Sequence, residues 1–558
     1  MLGSSFAAAD DHSHHHGHGA APPAPSEQAP APDVEQDGLP FLQAPTNASV
    51  EAATMIESHD DRDGFVGNSP RGGAEAIGRL DFRMTSARWV LTTVGTGFAP
   101  LTDRDDPTRR DVVDLEEASL AGAITDRLRV VIGDHRPRFG RGLVLDVGST
   151  SGQGHGSTPV VLRGARADLD AGPTTLTALG GLVHLAPVDR VTDLVVEPRN
   201  DVIGGARVEV RPTKRTTVSL EYAAASLGAP EGAVAAGEQL MGIAAELSPG
   251  GFGLGLYFEG VYQSLAVDAR QLPGTGLYLA ADYTAGPVTI LLEGKDYNRF
   301  SFGSLTPTFV PPEGAEAPPE GWPTIPPVRY HSPPTLERMG ELQHGETNAL
   351  GGRASITLRV TRGLTLEAAV VRQFHFDAVG DEPRSGPNGY FSRGVDSLHL
   401  YGGARIHGNG IDLTAGGGGS SGTDGETGDE HLRGRHADAA MEIQIVRGWT
   451  AAVSGEWRDR VTMGEPATIG SVGLSVRSPG GITVGGRYEY SDELKDEDPN
   501  DVVVPRRHYS SVEAKVPFGR HEAFAMFGGT AGGVRCLDGT CREVPPFQGF
   551  RAGMVLRF

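Results

Sequence analysis

Three arginines fall close together in Gly133-Asp-His-Arg-Pro-Arg-Phe-Gly-Arg-Gly142, namely Arg136, Arg138 and Arg141. A guanidinium fork matches carboxylate and phosphate oxygens, so this turn-rich stretch, folded into an enclosed space, would make an anion-attracting constriction. The competing expectation is that the same arginines pair with acids on neighbouring strands. A second candidate is the segment 298–351, which carries Pro307, Pro311, Pro312, Pro318, Pro319, Pro323, Pro326, Pro327, Pro333 and Pro334 together with Trp322 and Tyr330. Such a stretch is stiff and extended; it could close over a mouth, present its two aromatic rings to a ligand, or only protect a rim. Near the start, His12, His14, His15, His16 and His18 could hold zinc, copper or nickel, because neutral imidazoles are ligands even without a fold. The alternative there is a solvated polar tail. Cys536 and Cys541, the two cysteines, bracket Leu537-Asp-Gly-Thr540, whose Asp-Gly pair favours a tight reversal. A small disulfide fixing a loop outside the cytoplasm is expected.

Catalysis finds little support. The chain has no Gly-x-Ser-x-Gly elbow, no His-Glu-x-x-His and no phosphate-cradling glycine loop. His375 and His399 near strand positions leave room for a strand-borne Ser/His dyad, but the expectation is a non-enzyme without a cofactor. The acidic run Asp492, Glu493, Asp496, Glu497, Asp498 and Asp501 lacks the spacing of a calcium loop and reads as a solvated face. With 49 basic against 71 acidic residues and a net charge of −22, nucleic acid is excluded as the main partner, since phosphates call for a basic surface.

The elements that must position these residues are strands. Gly supplies 79 of 558 residues, roughly twice the usual ~7%. No run approaches the ~18 apolar residues of a spanning helix, which leaves a β-barrel open. Apolar residues instead recur at alternate positions: Val218, Leu220, Tyr222 and Ala224 against Ser219 and Glu221; Ala354, Ile356, Leu358 and Val360 against Arg353, Ser355, Thr357 and Arg359; Ile482, Val484, Gly486 and Tyr488 against Thr483, Gly485, Arg487 and Glu489. These are half-buried strands. Their connections alternate in length. Short ones lie at 211–215, 248–251, 284–287, 361–363, 407–410, 446–448, 478–481 and 517–521. Long ones lie at 226–238, 262–275, 298–351, 375–396, 417–435, 459–468, 491–507 and 530–547. Short turns on one side and long loops on the other are the signature of an outer-membrane barrel, whereas a sandwich has no reason to keep that parity.

Counting from 202 gives roughly seventeen strands by the period-two criterion. Upstream, 79–85, 89–97, 113–123, 128–133, 161–169 and 174–184 qualify if 134–160 is one long outer connection. An even total of about 22–24 follows. Closure is compulsory, because an unpaired N–H or C=O in hydrocarbon costs several kcal/mol. The charges between the apolar positions then point inward: Arg207, Glu209, Glu221, Glu246, Glu259, Asp282, Glu293, Arg353, Arg359, Glu367, Glu456, Arg458, Arg487, Glu489, Arg551 and Arg557. Cross-strand pairing around a wet interior is their expected fate.

The two ends agree with this reading. Met1-Leu-Gly-Ser-Ser-Phe-Ala-Ala-Ala-Asp10 resembles the last part of a secretory signal peptide, and a start placed further upstream is expected. Residues 1–63 are expected to be that remnant followed by a disordered His/Pro/Ala-rich leader, with the barrel occupying 64–558. At the other end Phe550, Ala552, Met554, Leu556 and Phe558 alternate with Arg551, Gly553, Val555 and Arg557. A final apolar-alternating strand ending on Phe resembles the assembly signal of Gram-negative outer-membrane barrels, so Phe550, Met554, Leu556 and Phe558 are assigned to recognition by the barrel-assembly machinery.

Phe139-Gly-Arg-Gly-Leu143, the start of the strand at Leu162-Arg-Gly-Ala-Arg-Ala-Asp168, and Ser332-Pro-Pro-Thr-Leu336 are similar to motifs of an uncharacterised family of large outer-membrane barrels, in spaced patches over about 79 to 360. The resemblance implies the barrel and the outer membrane, and carries no substrate or catalytic residue. The expected function is porin-like passage of a solute or a partner-delivered substrate. The alternative is a structural or assembly barrel, its lumen filled by its own loops, that binds a partner or surface polymer. Because the segment before about Gly64 is too short and polar for a separate plug, loops must narrow the pore.

Overall fold

A computed structural model describes residues 47–59, 73–101, 111–147, 160–185, 201–227, 236–300, 349–375, 395–424, 430–492 and 508–558, apart from a few connecting residues within these spans. In chain order β1 (Asn47–His59), β2 (Gly73–Thr85), β3 (Trp89–Pro100), β4 (Val112–Ala123) and β5 (Leu128–His135) begin the wall. Two short pieces, β6 (Arg138–Phe139) and β7 (Leu145–Asp146), follow. The wall resumes with β8 (Val160–Ala171), β9 (Thr174–Leu185), β10 (Val202–Thr213), β11 (Thr216–Leu227), β12 (Ala236–Leu247), β13 (Leu254–Val267), β14 (Arg270–Ala285), β15 (Val288–Asn298), β16 (Ala349–Thr361) and β17 (Leu364–His375). It continues through β18 (Val395–Gly408), β19 (Ile411–Asp424), β20 (Glu430–Val446), β21 (Trp449–Thr462), β22 (Glu465–Arg477), β23 (Thr483–Ser491), β24 (His508–Phe518) and β25 (His521–Thr530). The hairpin of β26 (Gly533–Leu537) and β27 (Thr540–Val544) then precedes the last strand, β28 (Phe547–Arg557).

Twenty-four of these strands form one antiparallel sheet, and β1 pairs with β28 to close it. From 202 onward the barrel holds seventeen strands, β10 to β25 and β28, as the alternation predicts. β5 pairs directly with β8, so 136–159 is one outer connection and the parity holds.

Four boundaries differ from expectation. The barrel begins at Asn47, inside the segment 1–63 assigned to the leader. The stretches 262–275 and 417–435, expected as long loops, are mostly strand: β13 runs to Val267 and β14 starts at Arg270, while β19 runs to Asp424 and β20 starts at Glu430. Gly and polar residues read as loop locally, but a neighbour's hydrogen-bond ladder holds them extended. Likewise 459–468 shrinks to a tight reversal, with β21 ending at Thr462 and β22 starting at Glu465.

The wall has two chemically distinct faces. On β11, Leu220 and Tyr222 are exposed outward, while Ser219, Glu221, Ala223 and Ala225 are buried inward. Trp449 and Trp457, both outward on β21, are eight residues apart, about 26 Å along the strand and roughly 20 Å along the barrel axis at a ~40° tilt. Tyr283, Phe518 and Phe558 share the short-turn end with Trp449; Tyr262, Phe527 and Phe550 lie toward the long-loop end with Trp457. Two aromatic girdles around an apolar band, on a wall with no open edge, put this chain in a Gram-negative outer membrane. The short turns use residues with positive φ where a tight reversal needs them, as at Asn409 (φ 53°) and Gly410 (φ 77°) between β18 and β19.

The lumenal hairpin as candidate functional site

β6 and β7 do not join the wall. They pair with each other, Arg138 with Asp146 and Phe139 with Leu145, in a small hairpin folded back inside the barrel. The reason is composition. Phe139, Leu143, Val144, Leu145 and Val147 are nearly inaccessible and form one cluster with inward-facing wall residues such as Ile203, Ala223, Leu240, Val261 and Tyr297. Without the hairpin, this sector of the wall would turn an apolar patch toward water. Burying each large side chain is worth about 1.5–3 kcal/mol, so docking is strongly favoured.

One wall carboxylate fixes the tip. Glu259 on β13 accepts the Arg141 backbone N–H at 2.8 Å and the Leu143 N–H at 3.1 Å, and the Tyr257 hydroxyl donates to it at 2.6 Å. Gly140 (φ 52°) passes so close that a Cβ there would lie 2.7 Å from a Glu259 oxygen. The Arg141 guanidinium lies 4.4 Å from the Tyr257 ring centroid and donates to the Tyr278 hydroxyl at 3.2 Å. Tyr278 in turn donates to Glu293 at 2.5 Å, and Glu293 pairs with Arg353 at 2.6 Å. The chain of contacts runs from hairpin to wall across β13, β14, β15 and β16. Glu259 is the sixth residue of β13, so the tip sits about 20 Å along the strand from the short turn, near mid-depth.

The three expected arginines therefore lie together on the hairpin and its neck, each engaged by protein groups. Arg136 pairs with Glu117 at 3.3 Å; Arg138 pairs with Asp146 at 3.6 Å and donates to the Arg141 carbonyl at 3.0 Å. The Arg138 side chain is 56% exposed, the most open of these cations to the surrounding space. At the neck, Asp134 accepts the Ala118 N–H at 2.7 Å and pairs with Arg163 at 2.9 Å. Elsewhere the inward charges pair as expected: Arg207 with Glu209 (2.6 Å) and Glu221 (3.3 Å), Arg458 with Glu456 (3.2 Å), Arg487 with Glu489 (2.7 Å).

Trp322, Tyr330 and His12, His14, His15, His16 and His18 lie outside the described residues. The backbone register places Cys536 directly opposite Cys541 on β26 and β27. Phe550 and Met554 face outward on β28, and Phe558 just after it is exposed. His399 faces inward and meets His436, a partner that sequence spacing alone did not reveal.

No family model and no curated protein matches the chain. Among solved structures it is similar to the siderophore receptor PirA from Pseudomonas aeruginosa, at 9% identity over 92% of this chain and 81% of that one, with a TM-score of 0.47. It is similar to the copper transporter OprC at 10% identity over 91% and 80%, with a TM-score of 0.45. It is also similar to the outer membrane protein opdK from Pseudomonas aeruginosa at 11% identity over 74% and 99%, with a TM-score of 0.39.

Proposed function

We propose that this barrel passes small polar solutes across the outer membrane through a lumen narrowed by the 138–146 hairpin. The observation that carries the reading is the hairpin itself, docked on the inner wall by apolar side chains and held at mid-depth by Glu259. A closed cylinder of 24 strands is wide, and a fixed inward loop is a direct way to set its aperture. Arg138 would meet anionic groups on a passing solute, and the paired charges of the wall would keep the rest of the path wetted without strong retention. Delivery of the substrate by a protein partner fits the same path. The terminal strand with Phe550, Met554, Leu556 and Phe558 would be the segment read by the barrel-assembly machinery, and Cys536 and Cys541 would form a loop disulfide.

The test is conductance in planar bilayers. The intact protein is expected to give small stepwise openings, and replacement of 138–146 by a Gly/Ser linker to give larger ones. If both proteins, folded and heat-modifiable, conduct nothing, passage is wrong. An intact protein that is silent while the linker variant conducts would favour the alternative, a loop-filled barrel that serves as a binding or assembly structure.

A further inference from the structure

We infer that His399 and His436 form a two-imidazole station in the barrel wall for a divalent ion of the zinc class. Both rings face inward and are nearly inaccessible, at 4% and 3% exposure. Their centroids are 5.3 Å apart but their Nε2 atoms only 3.0 Å, so the rings converge through these nitrogens, one donating its N–H to the other. Two nitrogens each ~2.0–2.1 Å from one tetrahedral ion would be about 3.3 Å apart. A slight opening of either ring reaches that separation.

The wall is built to let them meet. His399 is on β18 and His436 on β20, with β19 between them. On β19 the register sets Gly418 opposite both Tyr401 and His436, and Gly416 opposite Gly403 and Asp438. A Cβ at Gly418 would lie 2.6 Å from His436 Nε2, and one at Gly416 would collide with the Tyr401 hydroxyl. The glycine run 416–419 is therefore a gap cut in the middle strand, through which side chains two strands apart touch. Tyr401 stacks almost parallel to His436, at 8° and 6.1 Å, and holds the ring from its face.

At 3.0 Å the two Nε2 atoms share one proton, and a divalent ion would take the place of that proton. His436 Nδ1 has no hydrogen-bond partner among the described residues. The ring can carry its proton at Nδ1 and offer Nε2 to a cation. On β21 Arg458 lies directly opposite His436 and pairs with Glu456 at 3.2 Å, and Asp438 stands opposite Glu456, so charges of both signs flank the rings. Among the described residues no group of three or more His, Cys, Asp or Glu is arranged to hold a metal. The station thus offers two protein ligands. The inference does not depend on the passage reading, since binding is read without transport.

The test uses Co2+ as a spectroscopic probe and Zn2+ as competitor on the full-length chain in detergent. His12, His14, His15, His16 and His18 are replaced by Ser to remove background ligands. This protein is expected to take up one Co2+ with visible d–d absorption that Zn2+ abolishes. His399→Gln or His436→Gln, still heat-modifiable, should weaken uptake at least ten-fold. No uptake by the leader-substituted chain, or equal uptake by the His→Gln variants, overturns the proposal.

Discussion

Glu259 decides whether the hairpin is a fixed constriction or a loose segment, because one buried carboxylate satisfies two hairpin N–H groups at once. Hydrogen bonds to a charged acceptor contribute about 1.5–3 kcal/mol each, so Glu259→Ala removes a stabilisation comparable to that of one or two buried side chains. The apolar contacts of Phe139 and Leu143 remain. The expected result is a folded barrel whose hairpin undocks intermittently, seen as larger and noisier single-channel openings than the parent's. Glu259→Gln should be milder, since its amide oxygen still accepts one N–H while its NH2 group faces the other. Openings identical to the parent's in both variants would show that the carboxylate does not hold the tip. The participants were legible in the sequence, Arg141 as a lumenal arginine and Glu259 as an inward acid. Their meeting was not, because they are 118 residues apart and no local period encodes which strand a loop will reach. His399 was visible only as a histidine near a strand position, and finding His436 requires the register across β19.

At the scale of the strand, the alternation makes a sharp claim about neighbours in sequence. Leu474 and Ser475 are adjacent on β22, yet Leu474 faces lipid and Ser475 the interior. Leu474 lies between the levels of the two girdles, so Leu474→Arg should cost about 2–4 kcal/mol, the depth-dependent penalty near the bilayer midplane. Ser475→Arg should cost far less, because the new guanidinium enters a charged, wet face. Urea unfolding in lipid bilayers followed by tryptophan fluorescence measures both; equal losses would mean that the assigned faces are wrong. The same alternation gives the number of wall strands from β10 onward, and it misplaces strands where its physical premise fails. On β1, the outward positions Val50, Ala52, Thr54 and Ile56 mix two strongly apolar side chains with Ala and Thr, and the apolar Met55 is buried on the inner side. That strand has little contrast between its faces and reads as leader. In β19 the contrast is erased by Gly416–Gly419, which pair in register although they look like a loop.

For the whole molecule, closure imposes a parity rule that no single strand reveals. The seam joins the two ends of the chain. β1 pairs antiparallel with β28, Arg557 reaches Glu51 at 2.8 Å, and the Phe558 N–H donates to the Val50 carbonyl at 2.8 Å. Phe558 also packs its ring 5.4 Å from His521 on β25, so the terminal residue ties three wall strands together. Deleting β1 leaves β2 next to β28. Both run in the same direction, because β1 was antiparallel to each. Closure would then need a parallel pair, with slanted and slightly weaker hydrogen bonds, and the seam contacts at Glu51 and Val50 would be gone. Deleting β1 and β2 together, residues 47–85, removes more of the wall but brings β3 against β28 in antiparallel order. The 22-strand variant is therefore expected to assemble better than the 23-strand one, although it has lost more residues. Heat-modifiable migration after refolding into detergent reports closure for each. If the single-strand deletion closes as well as or better than the double, the end strands are not holding the wall through antiparallel pairing, and the seam is not what completes the barrel.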